Sequence, residues 1–296
     1  MVGSELAREA GGAGFKVEGK SSQELDFTDR KAVFLELSSL KPEYLVIAAA
    51  KVGGIRANSN YPVDFLSSNL QIQTNLLDAA HKANVRRVLF LGSSCIYPKY
   101  ATQPIIEESL LSGALEPSNS HYAIAKIAGV KLVEAYRKQH NRQWISAMPS
   151  NLYGPGDNFD SELAHVLPAL IHKLHLANLE GAQSVQLWGD GTPMREFLHV
   201  SDLAKALVLL LMNYDENPPI NVGSGEEVTI KTLAEMVART VGYSGAINFG
   251  ANSLNGTPRK ILESSKIRNL GWQPSISLAK GLEHTYNWYL ENLKER

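Results

Sequence analysis

The 296-residue chain has a single cysteine, Cys95, so no disulfide can form within it, and a reducing compartment, the cytosol, is expected. It has no excess of either charge. The 29 Lys and Arg oppose 30 Asp and Glu, a formal net charge of -1, which leaves no basic footprint for nucleic acid. It has no long apolar run either. The longest, Ala206-Leu207-Val208-Leu209-Leu210-Leu211-Met212, falls far short of the ~20 residues that cross a bilayer. Met1-Val2-Gly3-Ser4-Glu5 carries neither the basic nor the apolar region of a signal peptide. Neither membrane insertion nor secretion is expected, no internal repeat is found, and no metal site is assigned. The chain does have 44% hydrophobic and 20% charged residues, the balance of a protein that buries a core.

Through residue 150, short apolar or β-branched runs alternate with longer amphipathic stretches, the pattern of parallel βαβ units. Strands are expected at Tyr44 to Ala50, Arg87 to Leu91 and Trp144 to Met148. Helices are expected at Asn69 to Asn84 and Tyr122 to His140. Buried parallel strands separated by helices of this length predict an α/β fold with a doubly wound, Rossmann-like sheet. After Pro149 the texture changes. Loop signals at Tyr153-Gly154-Pro155-Gly156-Asp157 and Trp188-Gly189-Asp190-Gly191-Thr192-Pro193 surround a helix expected from His165 to Ala177. The division is therefore a dinucleotide-binding domain over 1–150 and a smaller α/β, mainly substrate-binding region over 151–296, some of whose segments return to the first.

The chemistry starts at Tyr122-Ala123-Ile124-Ala125-Lys126. Positions i and i+4 share a helix face, so phenol and ammonium can enter one cleft. A nearby cation lowers a Tyr pKa from about 10, which would make Tyr122 a proton donor or acceptor near neutral pH. A plain packing pair is the alternative. Leu91-Gly92-Ser93-Ser94-Cys95-Ile96-Tyr97-Pro98 places small polar residues at the carboxyl end of a strand, where open α/β sheets bind ligands. Ser93, Tyr122 and Lys126 together resemble the catalytic set of the extended short-chain dehydrogenases/reductases.

Longer motifs narrow the resemblance. Ala48 to Ile55, Gly92 to Lys99, Tyr122 to Gly129, Asn151 to Pro155 and Pro193 to Val200 look like those of the GDP-L-fucose synthase family. The resemblance runs essentially from Met1 to Arg296. It implies 3,5-epimerisation and NADP(H)-dependent 4-reduction of GDP-4-keto-6-deoxy-D-mannose to GDP-L-fucose. By resemblance Tyr122 is the proton donor with Lys126 and Ser93, while Cys95 and His165 do the acid and base work of epimerisation. Their reference pKa values, about 8.5 and 6.5, suit proton exchange near neutrality. The core alternative for Cys95 is a small buried hydrophobe, and for His165 a helix-start or surface histidine.

The same resemblance implies cofactor contacts at Gly3, Lys20, Leu91, Gly92, Ser93, Ser94, Lys126, Pro149, Ser150, Asn151, Leu152 and His165. Substrate contacts are implied at Lys173, Trp188, Arg195, Asn255 and Lys260. Lys173 stands where the family commonly has Arg, which loses the planar fork, and Asn255 stands where it usually has Asp. For Trp188 a core position is the rival. A homodimer through the helices at Asn69 to Asn84 and Tyr122 to His140 is implied as well.

Met1-Val2-Gly3-Ser4 matches the last part of the family's Gly-rich turn, with Gly3 as its final glycine. The first strand is therefore expected to be missing and the first helix to begin at Met1. That strand lies centrally in the order 3-2-1-4-5-6, so its loss exposes ladder groups costing ~1–3 kcal/mol each. A start placed downstream, a truncated isoform and a degenerate paralogue all fit. Lys20, in Glu18-Gly19-Lys20-Ser21-Ser22, replaces an Arg-bearing run for the adenosine 2′-phosphate, which leaves NADP against NAD open. Two other functions stay open: a related NAD-dependent nucleotide-sugar epimerase or dehydratase, and an inactive homologue that binds GDP-sugar or an intact paralogue.

Overall fold

The computed structural model describes residues 1–160, 163–250 and 256–293. The chain begins with helix α1 (Val2–Gly12) and α2 (Arg30–Leu40), then β1 (Tyr44–Ile47), α3 (Ile55–Asn60), α4 (Asn69–Lys82), β2 (Arg87–Leu91), α5 (Ser120–His140) and β3 (Ile145–Pro149). It continues through β4 (Asn151–Tyr153), α6 (Val166–Leu179), β5 (Ser184–Leu187), β6 (Met194–His199), α7 (Val200–Asn213), β7 (Ile220–Val222), β8 (Glu227–Thr229) and α8 (Ile230–Val241). The last elements are β9 (Ala246–Phe249), β10 (Arg259–Lys260), α9 (Ser265–Asn269) and α10 (Leu278–Leu293).

Local chemistry sets several boundaries. The Asp29 carboxylate accepts from Ala32 N at 3.0 Å and opens α2, and Thr229 opens α8 in the same way. α5 stops at Asn141, which turns left-handed with φ 52°, behind a basic last turn of Arg137, Lys138 and His140 that complements the helix dipole. The strand expected at Tyr44 to Ala50 ends three residues sooner, at Ile47, where the chain leaves its ladder.

β1, β2, β3 and β7 form a parallel sheet in that order. Every residue of β2 and β3 is buried, because both faces are covered. Val88 and Phe90 face one core with Val33, Leu76, Leu77 and Val130, from α2, α4 and α5. Leu89 and Leu91 face the other, with Leu6, Leu207, Leu210 and Trp272, where α1 packs on α7. That period of two within a continuous apolar run is the signature of a doubly covered strand. Beyond residue 150, β7 and α7 thus belong to this sheet's layers. A third core, with Tyr153, Leu170, Leu174, Leu233 and Val237, joins α6, α8 and α10. Two smaller sheets lie beyond the first: β10-β6-β4 with β8 antiparallel on β6, and the pair β5-β9.

β1 pairs with β2 on one side, and among the described residues no strand pairs with its other side. Tyr44, Leu45 and Val46 stay half-buried there, unlike any residue of β2 or β3. The segment from Phe15 to Lys20 forms no ladder, and Phe15 instead meets Tyr44 edge to face at 5.7 Å. Among the described residues no helix is long and apolar enough to cross a membrane.

Candidate active site

The site assembles where β2 ends. Gly92 N donates to Ala147 O at 2.9 Å, and the thioether end of Met148 occupies the space where a Gly92 side chain would go. Ser93 caps the short turn Ser94–Ile96 by accepting from Cys95 N at 3.2 Å. The same hydroxyl lies on the side of Tyr122, on the first turn of α5, and acts to lower the pKa of its phenol. One turn later Lys126 is buried and donates from Nζ to Leu91 O at 2.8 Å.

The expectation that Lys126 lowers the Tyr122 pKa is corrected by this geometry. The ammonium lies 6.0 Å from the Tyr122 ring centroid and spends its hydrogen bond on Leu91. Burial pushes the Tyr122 phenol up, aided by Cys95 and opposed by the Ser93 hydroxyl. Burial also pushes the Lys126 ammonium down, to about 7. Both groups are driven toward their neutral forms, as a low-dielectric setting requires.

The Cys95 sulfur is held between two donors, Asn119 Nδ2 at 3.4 Å and Lys260 Nζ at 3.6 Å. Lys260 lies on β10 in register with Arg195 on β6. Arg195 donates to Met194 O at 2.8 Å; burial lowers its pKa, and negative charge at Cys95 and Glu116 acts against that. Ser93, Cys95, Tyr122, Lys126, Arg195 and Lys260 therefore form one connected constellation.

His165 is the residue that precedes α6; its side chain keeps solvent access while the protein packed around it lowers its pKa by desolvation. Its place is set by the Gly53-Gly54 turn. Gly54 N donates to Leu163 O at 3.0 Å, and a Cβ on Gly54 would stand 2.6 Å from Ala164 O. A Cβ on Gly53 would meet Phe65 at 3.0 Å, and Phe65 packs edge to face on Tyr122 at 6.3 Å. Tyr122, Phe65, Gly53 and Leu163 thus form a chain of contacts leading to His165. Neither this turn's role nor Asn119 was read from the sequence. The Gly-Gly pair was the available signal for a close backbone approach.

The other expected residues lie outside this constellation of contacts. Trp188 is 66% exposed, which excludes the core position, and the Arg56 guanidinium lies 5.6 Å from its ring centroid. Lys173 on α6 is exposed and donates to Gln186 O at 2.6 Å. Asn255 lies outside the described residues.

The residues expected to hold a dinucleotide fit its ribose end. Ser94 and Ser150 are buried, and the Ser150 hydroxyl has no partner. Lys126 retains N–H donor capacity beyond the bond given to Leu91. Pro149 ends β3, and Asn151 and Leu152 follow on β4, where Asn151 Nδ2 donates to Glu196 O at 2.8 Å. At the other end Gly3 lies in the first turn of α1, with open space where a side chain would be. Helix N-termini of this kind accept phosphate. Lys20 is committed elsewhere, at 3.4 Å from Glu18 and 3.5 Å from Glu36. Among the described residues no cluster of His, Cys, Asp or Glu could hold a metal. A separate surface pocket of about 390 Å³ contains none of these residues, and its Arg137 and Arg142 already bond Asp215 and Asn84.

The doubly covered parallel sheet, with Ser93 just past β2 and Tyr122 and Lys126 beside it on α5, is an arrangement of the epimerase/dehydratase class. The model of the NAD dependent epimerase/dehydratase family matches residues 1–223, and the chain belongs to that family. It is 54% identical over 295 residues to "Probable GDP-L-fucose synthase 1" of Oryza sativa subsp. japonica, covering 99% of this chain and 90% of that protein. It is 47% identical over 302 residues to the GDP-L-fucose synthase of Escherichia coli K12, covering 99% and 94%. Among solved structures it is similar to a GDP-L-fucose synthetase from Naegleria fowleri bound to NADP. That match has a TM-score of 0.90 and 27% identity, over 99% of this chain and 92% of that one.

Proposed function

We infer that this protein makes GDP-L-fucose from GDP-4-keto-6-deoxy-D-mannose by 3,5-epimerisation followed by NADPH-dependent reduction at carbon 4. The observation that carries the reading is the grouping of Ser93 and Lys126 around Tyr122, with Ser93 two residues along the chain from a thiol that faces Lys260 and Asn119. A plain ketone reductase needs the first part and has no use for the second.

The hydrogens on carbons 3 and 5 are acidified by the carbon 4 carbonyl. When a base removes one, the C–H electrons move into an enolate, and its oxygen accepts hydrogen bonds from Ser93 and Tyr122. Inversion follows when a proton returns to the opposite face, so two groups are needed, and Cys95 and His165 are the pair assigned here. The dinucleotide, when bound, supplies the hydride for carbon 4. Tyr122 gives its proton to the carbonyl oxygen as that oxygen gains charge. Its raised pKa keeps that proton in place at neutral pH until then. Lys126 orients the ribose through its remaining donors. Arg195, Lys173 and Trp188 receive the diphosphate and the base. The NADP(H) preference rests on the NADP-bound relative, and Lys20 would have to leave Glu18 and Glu36 to meet a 2′-phosphate. Homodimeric assembly and a cytosolic location belong to the same reading.

The test is turnover of the keto sugar with NADPH in D2O. GDP-L-fucose with deuterium at carbons 3 and 5 is expected. Reduction without deuterium would leave a plain 4-reductase, isomerised sugar without NADPH consumption would point to an NAD-retaining epimerase, and GDP binding without dinucleotide binding to a non-catalytic homologue.

A further inference from the structure

We propose that Lys260 compensates the charge Cys95 acquires when it gives up its proton, and that buried Glu196 is the positioning residue that keeps Lys260 there. This inference rests on the epimerase reading of the Cys95 site, and deepens it.

Glu196 is fully buried on β6, next to Arg195. Its two oxygens reach in two directions. Oε1 accepts from Gly225 N at 2.6 Å, and Oε2 accepts from Leu262 N at 3.0 Å, two residues beyond Lys260. Its backbone oxygen accepts from Asn151 on β4. Its carboxylate fills the space where a side chain on Gly223 would stand, so a glycine there is part of the same fitting.

β10 has only two residues, Arg259 and Lys260, paired with Met194 and Arg195. So short a strand cannot fix its own register. The Glu196–Leu262 bond and the bond from Ile261 N to Gln103 Oε1 at 2.9 Å pin the chain just past it. Lys260 is thereby left with its ammonium 3.6 Å from the sulfur. Any negative charge placed on the sulfur therefore has an ammonium and an amide N–H directed at it.

Because Cys95 is the sole cysteine, its alkylation by iodoacetamide reports on this arrangement in the intact chain without any substrate. Lys260→Met is expected to slow alkylation at pH 7 about tenfold and move its pH profile to the alkaline side, with Lys260→Arg restoring most of the rate. Glu196→Ala, checked as folded by circular dichroism, is expected to shift the profile the same way, whereas the exposed control Lys131→Met leaves it unchanged. A Lys260→Met profile that coincides with the wild type overturns the charge compensation. A Glu196→Ala profile that coincides with it, in a folded chain, overturns the positioning. Alkylation shifts as expected, with no deuterium exchange into the keto sugar, would sink the epimerase reading and leave the Lys260–Cys95 pair standing.

Discussion

Tyr122 and Cys95 share a neighbourhood but serve different steps, so removing each should separate them. Tyr122→Phe takes away the proton donated to the carbon 4 oxygen, and a loss of about 10²–10⁴-fold in reduction is expected. Solvent deuterium should still enter carbons 3 and 5. Cys95→Ser should do the reverse, slowing deuterium entry by a similar factor while leaving NADPH binding intact. Equal losses of both activities, matched by loss of folding in circular dichroism, would instead make the two residues packing groups. The types and spacing of these residues were legible in the sequence. The protonation balance of Tyr122 and Lys126 was not. An i, i+4 spacing says which helix face two residues share, but the depth at which α5 is buried decides which charge survives. That depth comes from the packing of α5 against β2, α4 and the turn beyond Gly92.

At the scale of elements, the alternation of apolar runs gave β2 and the main helices with small errors at their ends, because doubly covered strands and amphipathic helices write their environment into sequence. Contacts between distant segments are not written that way, and the Gly53-Gly54 turn is the clearest instance. Gly54→Ala would bring a methyl group to 2.6 Å from Ala164 O, which rigid backbone cannot absorb without displacing the residues ahead of α6. The expected result is a stability loss of about 1–3 kcal/mol, together with a deuterium-exchange defect larger than the defect in NADPH binding. Exchange at the wild-type rate would show that His165 does not depend on this turn.

Across the whole molecule, polar groups tie the first sheet to the segments packed around it and to β6. Tyr97 donates to Asn221 Oδ1 at 2.6 Å, Asn221 N donates to Glu107 at 3.0 Å, and Glu107 meets Lys266 at 3.0 Å. Glu196 ties β6 to the segments after β7 and β10. No hydrophobic pattern announces such a seam, since each of its residues reads as an ordinary loop or surface polar group until the chain is folded. The seam should give the protein a pH-dependent stability. Burial pushes the Glu196 carboxyl up to about 7, against the lowering effect of its two backbone donors. A carboxyl raised above its unfolded value of about 4.3 contributes stability fully present below that value and lost as pH rises through 7, because the unfolded chain releases the proton first. His199, pushed down to about 4 by burial, works in the other sense and withdraws stability as pH falls from about 6.5 toward 4. The two effects overlap between pH 4.5 and 6.5, so the wild-type curve alone will not separate them. Glu196→Gln should. Glutamine loses one of the two acceptors, so the variant starts lower. From pH 5 to pH 8, however, its urea-unfolding free energy should rise relative to wild type by up to about 3 kcal/mol, since the cost of ionising a buried carboxyl is gone. A constant difference between the two proteins across that range would mean that Glu196 ionises in the folded chain as freely as in water, and that its two backbone bonds offset its burial.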